Sequence, residues 1–309
     1  MIDPLSQMVL FLQPAAPFSK RVSGAGRWCI RRTEVARPFY CAMLEGQCCL
    51  AAEGHPERML REGDFVLIPA AQNFTLSSRN AARGKDIACK PLKRPDGEFR
   101  LGQPDGEPDV RLLIGYCSFR SANAHLLASL LPQLMHVSGV DRLTTFMQLV
   151  SEETHAQRPA RDIVLERLLE VLLIEAFRSG AKTDASPGLL RGLADERLAV
   201  AIRCMHESPH LPWTVAKLAK ESSLSRSAFY ERFGRAVGLA PMQYLLAWRM
   251  ALAKELLCTG QAPIAEVAER IGYGSASAFS VAFARHVGQP PSRYARSSSA
   301  KTSAQHAVA

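Results

Sequence analysis

Val215-Ala-Lys-Leu218-Ala219, followed by Ser225-Arg-Ser-Ala-Phe229-Tyr-Glu-Arg-Phe233, decides the reading of this chain, because it is written twice. The second copy is Ile264-Ala-Glu-Val267-Ala268, then Ser275-Ala-Ser-Ala-Phe279-Ser-Val-Ala-Phe283. Gly238, Pro241 and Tyr244 close the first copy, and Gly288, Pro291 and Tyr294 close the second. From the serines onward the offset is fifty residues at each landmark; before them it is forty-nine, so the second turn carries one insertion. A repeat of this kind sets the architecture before any single element does.

Each copy reads as a short helix, a tight turn and a second helix. Thr214 is placed to cap the first, with Val215, Leu218 and Ala219 at helical spacing. Ser222 and Ser223 interrupt it, and Ser225 caps a second helix with Phe229 and Phe233 on one face. Gly238 stands where a helix C-terminus favours positive φ, and Pro241 opens the next helix. Pro263, Gly272, Ser275 and Gly288 repeat this order. Two helices joined this way form the helix-turn-helix unit, whose second helix enters the DNA major groove. One such hairpin alone reads first as simple packing; two in register, in a basic region, favour DNA. Between them, residues 241–259 read as one helix with a wide apolar stripe of Tyr244, Leu245, Trp248, Leu252, Ala253, Leu256 and Leu257. Such a rod is roughly 27 Å long. It could hold two reading helices about one DNA turn, roughly 34 Å, apart.

Residues 194–297 resemble the DNA-binding domain of AraC/XylS-family transcription regulators. The resemblance is carried by Ile264-Ala-Glu-Val-Ala-Glu-Arg-Ile-Gly-Tyr-Gly-Ser275, then Phe279, Phe283, Gly288, Pro291 and Tyr294.

The 309 residues suit two domains, with a formal charge of +9. From Leu193 onward there are 14 Lys/Arg against 8 Asp/Glu, or +6; the first 192 residues hold 24 against 21, or +3. Charge is therefore densest where phosphate contact is expected. Asp3-Pro4 reads as a helix start rather than a secretory leader, and no apolar run is long enough to cross a membrane. A cytoplasmic location is the default.

Between residues 27 and 119 the texture changes to short strands: Trp28–Ile30, Phe39–Leu44, Gln47–Leu50, a Gly63-Asp64 turn feeding Phe65–Pro69, Phe74–Leu76, and a late hairpin of Phe99–Leu101 with Val110–Phe119. Short strands at this spacing point to a sandwich or barrel. The Gly63-Asp64-x-x-x-x-Pro69 element resembles the cupin-like sensor domain that precedes the DNA-binding domain in many AraC-family proteins. A metal-dependent cupin enzyme would carry a His-x-His pair, and this chain has none, so no metal and no cofactor is expected. The expected fold class is α+β: an N-terminal cupin-like β-barrel followed by helices, then an all-α C-terminal domain with two helix-turn-helix units.

Helical patterning returns after residue 121. Ala124–Leu131 stops at Pro132, Asp141 caps a helix carrying Leu143, Phe146, Met147 and Val150, and Asp162 starts another. That helix is apolar over more than one face, with Val164, Leu165, Leu168, Leu169, Leu172, Leu173 and Ile174. It reads as a cover over the barrel mouth, as a dimer seam through Leu169 and Leu172, or as both; the resemblance implies a homodimer here. The expected division is 1–135 sensor, 136–180 helical dimerisation element, 181–192 linker, 193–297 DNA-binding domain and 298–309 disordered tail.

Six of eight cysteines precede residue 118, with no Cys-x-x-Cys spacing for zinc. Buried inert thiols are the default. Cys48 and Cys49, adjacent on a strand, would face opposite sides. Cys29 stands two residues from both Arg27 and Arg31, and Cys89 precedes Lys90, which makes these two the candidate redox-sensing thiols. Cys117 lies in an apolar strand and reads as core.

The sequence thus reads as a sequence-specific DNA-binding transcription factor governed by a signal sensed in its N-terminal domain. The alternative is a cupin-type enzyme fused to a nucleic-acid module. The resemblance places base contacts on Ser227, Tyr230 and Glu231 in the first reading helix, and on Ala276, Ser277, Ser280 and Val281 in the second. Arg226, Arg232, Arg235 and Arg285 are the phosphate candidates, Arg232 having core packing as its other reading. Partners implied are double-stranded promoter or operator DNA, a second copy of the chain, RNA polymerase, and a small-molecule or oxidant effector.

Overall fold

The computed structural model describes residues 3–12, 14–33, 38–69, 73–79, 90–119, 131–156, 158–180, 187–259 and 262–297. The chain forms two compact units: one holds Gln13–Arg120 and Leu131–Ser186, the other gathers Met1–Leu12 with the residues after Pro187.

The first unit is a curled, cupin-like sheet with helices on it. Its strands are β1 (Pro14–Ala25), β2 (Cys29–Arg32), β3 (Phe39–Ala52), β4 (Arg58–Arg61), β5 (Phe65–Ile68), β6 (Phe74–Ser78), β7 (Leu92–Lys93), β8 (Phe99–Gly102), β9 (Val110–Phe119) and β10 (Met135–Val137). The main path runs β10-β5-β3-β9-β1-β8-β7. β3 belongs to both halves of the curl. Phe39–Ala42 pair with β5, while Gln47–Leu50 pair with β4 and Cys48–Ala52 with β6, on the far side of a register shift between Met43 and Glu45. The two segments expected as separate strands are therefore one strand that turns a corner at a bulge.

Strand alternation gives β3 two buried faces. Phe39, Cys41 and Met43 enter a core with Trp28, Leu50, Leu60, Val66, Phe74 and Leu112 inside the curl. Tyr40 and Ala42, on the opposite side, are equally buried, and α2 (Asp141–His155) and α3 (Arg161–Gly180) pack against β1, β3 and β10. The Gly63-Asp64 turn forms as expected: Gly63 has φ +82° and Asp64 Oδ2 accepts from the Arg61 amide at 2.8 Å.

Three expectations need correction. Phe99–Gly102 and Val110–Phe119 do not form a hairpin; β1 lies between them, parallel to β8 and antiparallel to β9. β1, which was not expected, carries Pro14 and Pro17, and its register slips between Ala15 and Phe18. Asp141 is the first residue of α2 rather than its cap, which is Val140. Leu169 and Leu172 are 2% and 0% exposed, so they are core of this unit and unavailable to a seam. The helix expected at 124–131 lies outside the described residues apart from Leu131.

Among the described residues, the regular elements of the second unit are helices: α1 (Pro4–Leu12), α4 (Leu189–Ala194), α5 (Glu196–Glu207), α6 (Val215–Glu221), α7 (Arg226–Val237), α8 (Pro241–Thr259), α9 (Ile264–Arg270), α10 (Ala276–Val287) and a last helix at 291–297. α1 packs on α5, and Asp3 caps it, accepting from the Ser6 amide at 2.9 Å. Beneath it His206 is buried. Its ring stacks on Trp248 with centroids 3.6 Å apart, Nδ1 meets Gln7 Oε1 at 3.0 Å and Nε2 meets the Tyr244 hydroxyl at 2.6 Å.

Candidate nucleic-acid interface

The second helices of the two helix-turn-helix copies are capped alike, whereas of the first helices α6 has a side-chain cap and α9, which follows Pro263, has none. Thr214 accepts from the Lys217 amide at 3.2 Å to start α6. Ser225 and Ser275 accept from the Ala228 and Ala278 amides at 3.3 and 3.2 Å to start α7 and α10. Each of these short polar side chains satisfies one orphan N–H of its helix start. Both reading helices end on a left-handed glycine, Gly238 at φ +82° and Gly288 at φ +84°.

Aromatic triads fix the orientation of each reading helix. Phe229 and Phe233 lie 5.6 Å apart, and Phe233 meets Tyr244 at 5.7 Å; Phe279 and Phe283 lie 5.4 Å apart, and Phe283 meets Tyr294 at 5.5 Å. With these faces buried, helical geometry turns residues 226, 227, 230 and 231, and their counterparts 276, 277, 280 and 281, to the other side.

The outward set differs between copies at Arg226/Ala276, Tyr230/Ser280 and Glu231/Val281 and agrees at Ser227/Ser277 and Arg235/Arg285. Arg226, Ser227, Glu231 and Arg235 are exposed on α7, and Tyr230 is 51% exposed. On α10, Ser277 and Arg285 are exposed, Ala276 and Ser280 are half-buried, and Val281 is 71% exposed. Tyr230 and Glu231 are thus replaced by Ser280 and Val281, whereas Ser227 and Arg235 recur as Ser277 and Arg285. Ser280 Oγ donates to the Ala276 carbonyl at 2.7 Å, so its hydroxyl hydrogen is already committed to its own helix.

The arginines divide into held and unheld. Arg232 Nε lies 2.5 Å from Asp195 Oδ2, tying α7 to the cap of α5. Burial alone would raise the Asp195 carboxyl, but Arg232 and the Leu198 and Arg197 amides together hold it below the usual carboxylate range. Arg270 pairs with Glu266 at 2.5 Å, and Lys217 Nζ donates to the Pro212 carbonyl at 3.2 Å. Arg226, Arg235 and Arg285 make no ion pair among the described residues. Sequence reasoning passed over Asp195 and also Arg249, a charged residue inside the α8 stripe whose guanidinium grips a loop; a cation interrupting an apolar stripe was the available signal.

In the β unit, Cys41 and Cys48 are buried, and burial raises the Cys41 thiol to about 12 and the Cys48 thiol well above its ordinary value. Cys29 is partly exposed on β2, with Arg27 and Arg31 exposed beside it. Cys89 and the Cys117 side chain lie outside the described residues. No three His, Cys, Asp or Glu side chains among the described residues come together as a metal site. Core side chains fill the curl, and a cavity of about 200 Å³ opens at its rim, lined by Glu53, His55, Asn73, Gln133 and the apolar Ala52, Ile68 and Phe74. No described helix is long and apolar enough to cross a membrane.

Two capped helix-turn-helix units following a cupin-like unit define a DNA-binding transcription regulator. Comparison with known families agrees: residues 3–181 match the Cupin family and residues 218–297 match a Helix-turn-helix domain family. An AraC-like transcription regulator of Streptomyces lividans is 34% identical over 300 residues, covering 95% of this chain and 98% of that protein. A second, from Streptomyces antibioticus, is 35% identical with the same coverage. The HTH-type transcriptional regulator AlkR of Acinetobacter baylyi is 32% identical over 289 residues, 90% of this chain and 94% of that one. The chain belongs to the AraC-like family of transcription regulators.

Proposed function

We propose that this regulator reads two successive major-groove segments of a promoter or operator, one with α7 and one with α10. The supporting observation is the pairing of divergent outward residues, Tyr230/Ser280 and Glu231/Val281, with a recurrent unpaired arginine, Arg235/Arg285. Glu231 accepts from cytosine N4, Tyr230 reaches a base edge or a phosphate, and Ser227 and Ser277 serve either. Val281 and Ala276 offer methyl contact, and Ser280 offers its lone pairs. Arg226, Arg235 and Arg285 neutralise phosphates; Arg232 serves mainly to seat α7 through Asp195.

Two substitutions separate reading from anchoring. Glu231→Ala is expected to change the bases selected at one position, at a cost of roughly 1–3 kcal/mol on the preferred site. Arg235→Ala is expected to weaken all sequences alike and to reduce the salt dependence by about one phosphate contact. Selection from randomised duplexes, followed by salt titration of the winners, measures both; an unchanged preference in Glu231→Ala removes that residue from the reading set.

In this proposal the chain acts in the cytoplasm, the β unit senses, its helices α2 and α3 dimerise and the helical unit binds DNA; α1 and α4, expected as parts of the sensor and the linker, go with the DNA-binding unit. The β unit senses rather than catalyses, and the signal passes to promoter output through RNA polymerase. The dimer seam is the exposed side of α3, where Ile163 is 65% exposed and Val164 and Val171 join it. The rim cavity, with a carboxylate, an imidazole and two amides over an apolar floor, fits a small polar effector.

A second reading rests on Cys29, a partly exposed thiol on β2 with the exposed Arg27 and Arg31 two residues to either side in the chain. Hypochlorite is then expected to alter operator affinity in the wild type and not in Cys29→Ser, with oxidation proceeding through a sulfenic acid. Equal responses in both proteins, measured by anisotropy on the same duplex, assign the signal elsewhere.

A further inference from the structure

The two turns of the repeat differ at one position. Ser223 and Gly272 are equivalent: each amide donates three residues back, to the Lys220 and Glu269 carbonyls, at 3.0 Å. Both are left-handed, at φ +52° and +84°. Since serine holds this conformation in the first copy, backbone angle alone does not demand glycine in the second. Space does. A Cβ on Gly272 would stand 2.6 Å from the His210 carbonyl oxygen and 2.8 Å from Arg249 Nη2, whereas Ser223 is exposed.

Gly272 is therefore where the turn of the second helix-turn-helix lies flush on the loop that leads into the first. Arg249, midway along α8, holds that same loop. Its Nε donates to the Pro209 carbonyl at 2.7 Å and its Nη2 to the Leu211 carbonyl at 2.8 Å. Trp213 Nε1 donates to the Ser208 carbonyl at 2.9 Å and its amide to Leu211 at 2.8 Å, so the gripped segment is internally braced. Without this contact the two reading units would share little more than one helix, which bends and twists. The loop, the guanidinium and the glycine turn add a second connection beside it.

We infer that Arg249 is a positioning residue that fixes the angle between α7 and α10, and so sets the spacing between the two half-sites the protein accepts. The inference rests on the proposal that both helices read DNA. One inserted base pair moves the second half-site by about 3.4 Å and roughly one-tenth of a turn. A braced pair of reading helices cannot follow that rotation; a pair joined by α8 alone can.

The test uses the full-length protein and three duplexes: the selected operator, and the same operator with one base pair inserted or removed between half-sites. The wild type is expected to lose about tenfold or more in affinity on either altered duplex, the cost of a lost base contact. Arg249→Met and Gly272→Ala are each expected to bind the native spacing a few-fold more weakly while the spacing penalty shrinks to about two- to threefold. Arg249→Lys, which keeps one donor, should fall between, and Ser223→Gly should match the wild type. Melting curves identify any variant that does not fold, and Gly272→Ala or Arg249→Lys then carries the test. A wild-type penalty retained in the folded Arg249 and Gly272 variants overturns this inference alone, however weakly they bind. A footprint over a single half-site, with no spacing penalty in the wild type, overturns the two-helix reading and this inference with it.

Discussion

Leu172→Glu is expected to unfold the β unit rather than to separate two chains. Leu172 is fully buried and Leu169 nearly so, among Leu165, Leu173, Ala176 and Phe177 on the side of α3 that packs with α2 and β1. Removing the leucine side chain alone costs about 2–5 kcal/mol. An unpaired carboxylate in its place adds several more, against a typical total of about 5–15 kcal/mol. Urea denaturation of the full-length protein should show the sheet transition lost or moved to near zero denaturant. Ile163→Glu, on the opposite side of α3, should fold as the wild type does. If the exposed side is the seam, Ile163→Glu combined with Val171→Glu converts a dimer into a monomer in light scattering. A wild type that is already monomeric at micromolar concentration ends the seam proposal.

The second large effect is a dependence on pH centred on His206. Gln7 Oε1 can only accept, so the ring proton sits on Nδ1 and Nε2 accepts from the Tyr244 hydroxyl. Burial holds the imidazole neutral and lowers its pKa to about 3. The unfolded chain, with an ordinary histidine near 6.5, takes up the proton first. The stabilisation is therefore complete above about pH 6.5 and is lost as pH falls toward 3. The slope approaches about 1.4 kcal/mol per pH unit, which sums to about 5 kcal/mol across the window. Between pH 6.5 and 5, before most carboxylates titrate, urea midpoints should fall in the wild type and stay flatter in His206→Gln. Parallel slopes would show that another group carries the dependence.

The helical unit was the more legible of the two because local chemistry writes it. Thr214, Ser225 and Ser275 cap where they were expected to, Gly238 and Gly288 stop their helices, and the Phe-Phe-Tyr spacing predicts each aromatic triad. The sheet was legible in part: β2, β3, β5, β6, β8 and β9 were expected as strands, while β1, β4, β7, β10 and the pairing were not. β1 contains two prolines and owes its conformation to neighbours almost a hundred residues away, which no local pattern records. The same limit explains α3: composition showed more apolar surface than one face needs, but only the packed sheet reveals that Leu169 and Leu172 point inward and Ile163 outward. At the DNA interface, exposure of Tyr230, Glu231 and Val281 follows from helical period alone. The engagement of Arg232 by Asp195, and of Pro209 and Leu211 by Arg249, joins residues 37 to 40 apart and could not be read from spacing.

Gln7 and His206 stand 199 residues apart in the chain. A ribosome adds about 5–20 residues per second, so α1 emerges roughly 10–40 s before the helix it rests on has been made. Val9, buried in the finished protein, spends that interval without its neighbours. The segment of the helical unit that is made first is thus among the last to be placed.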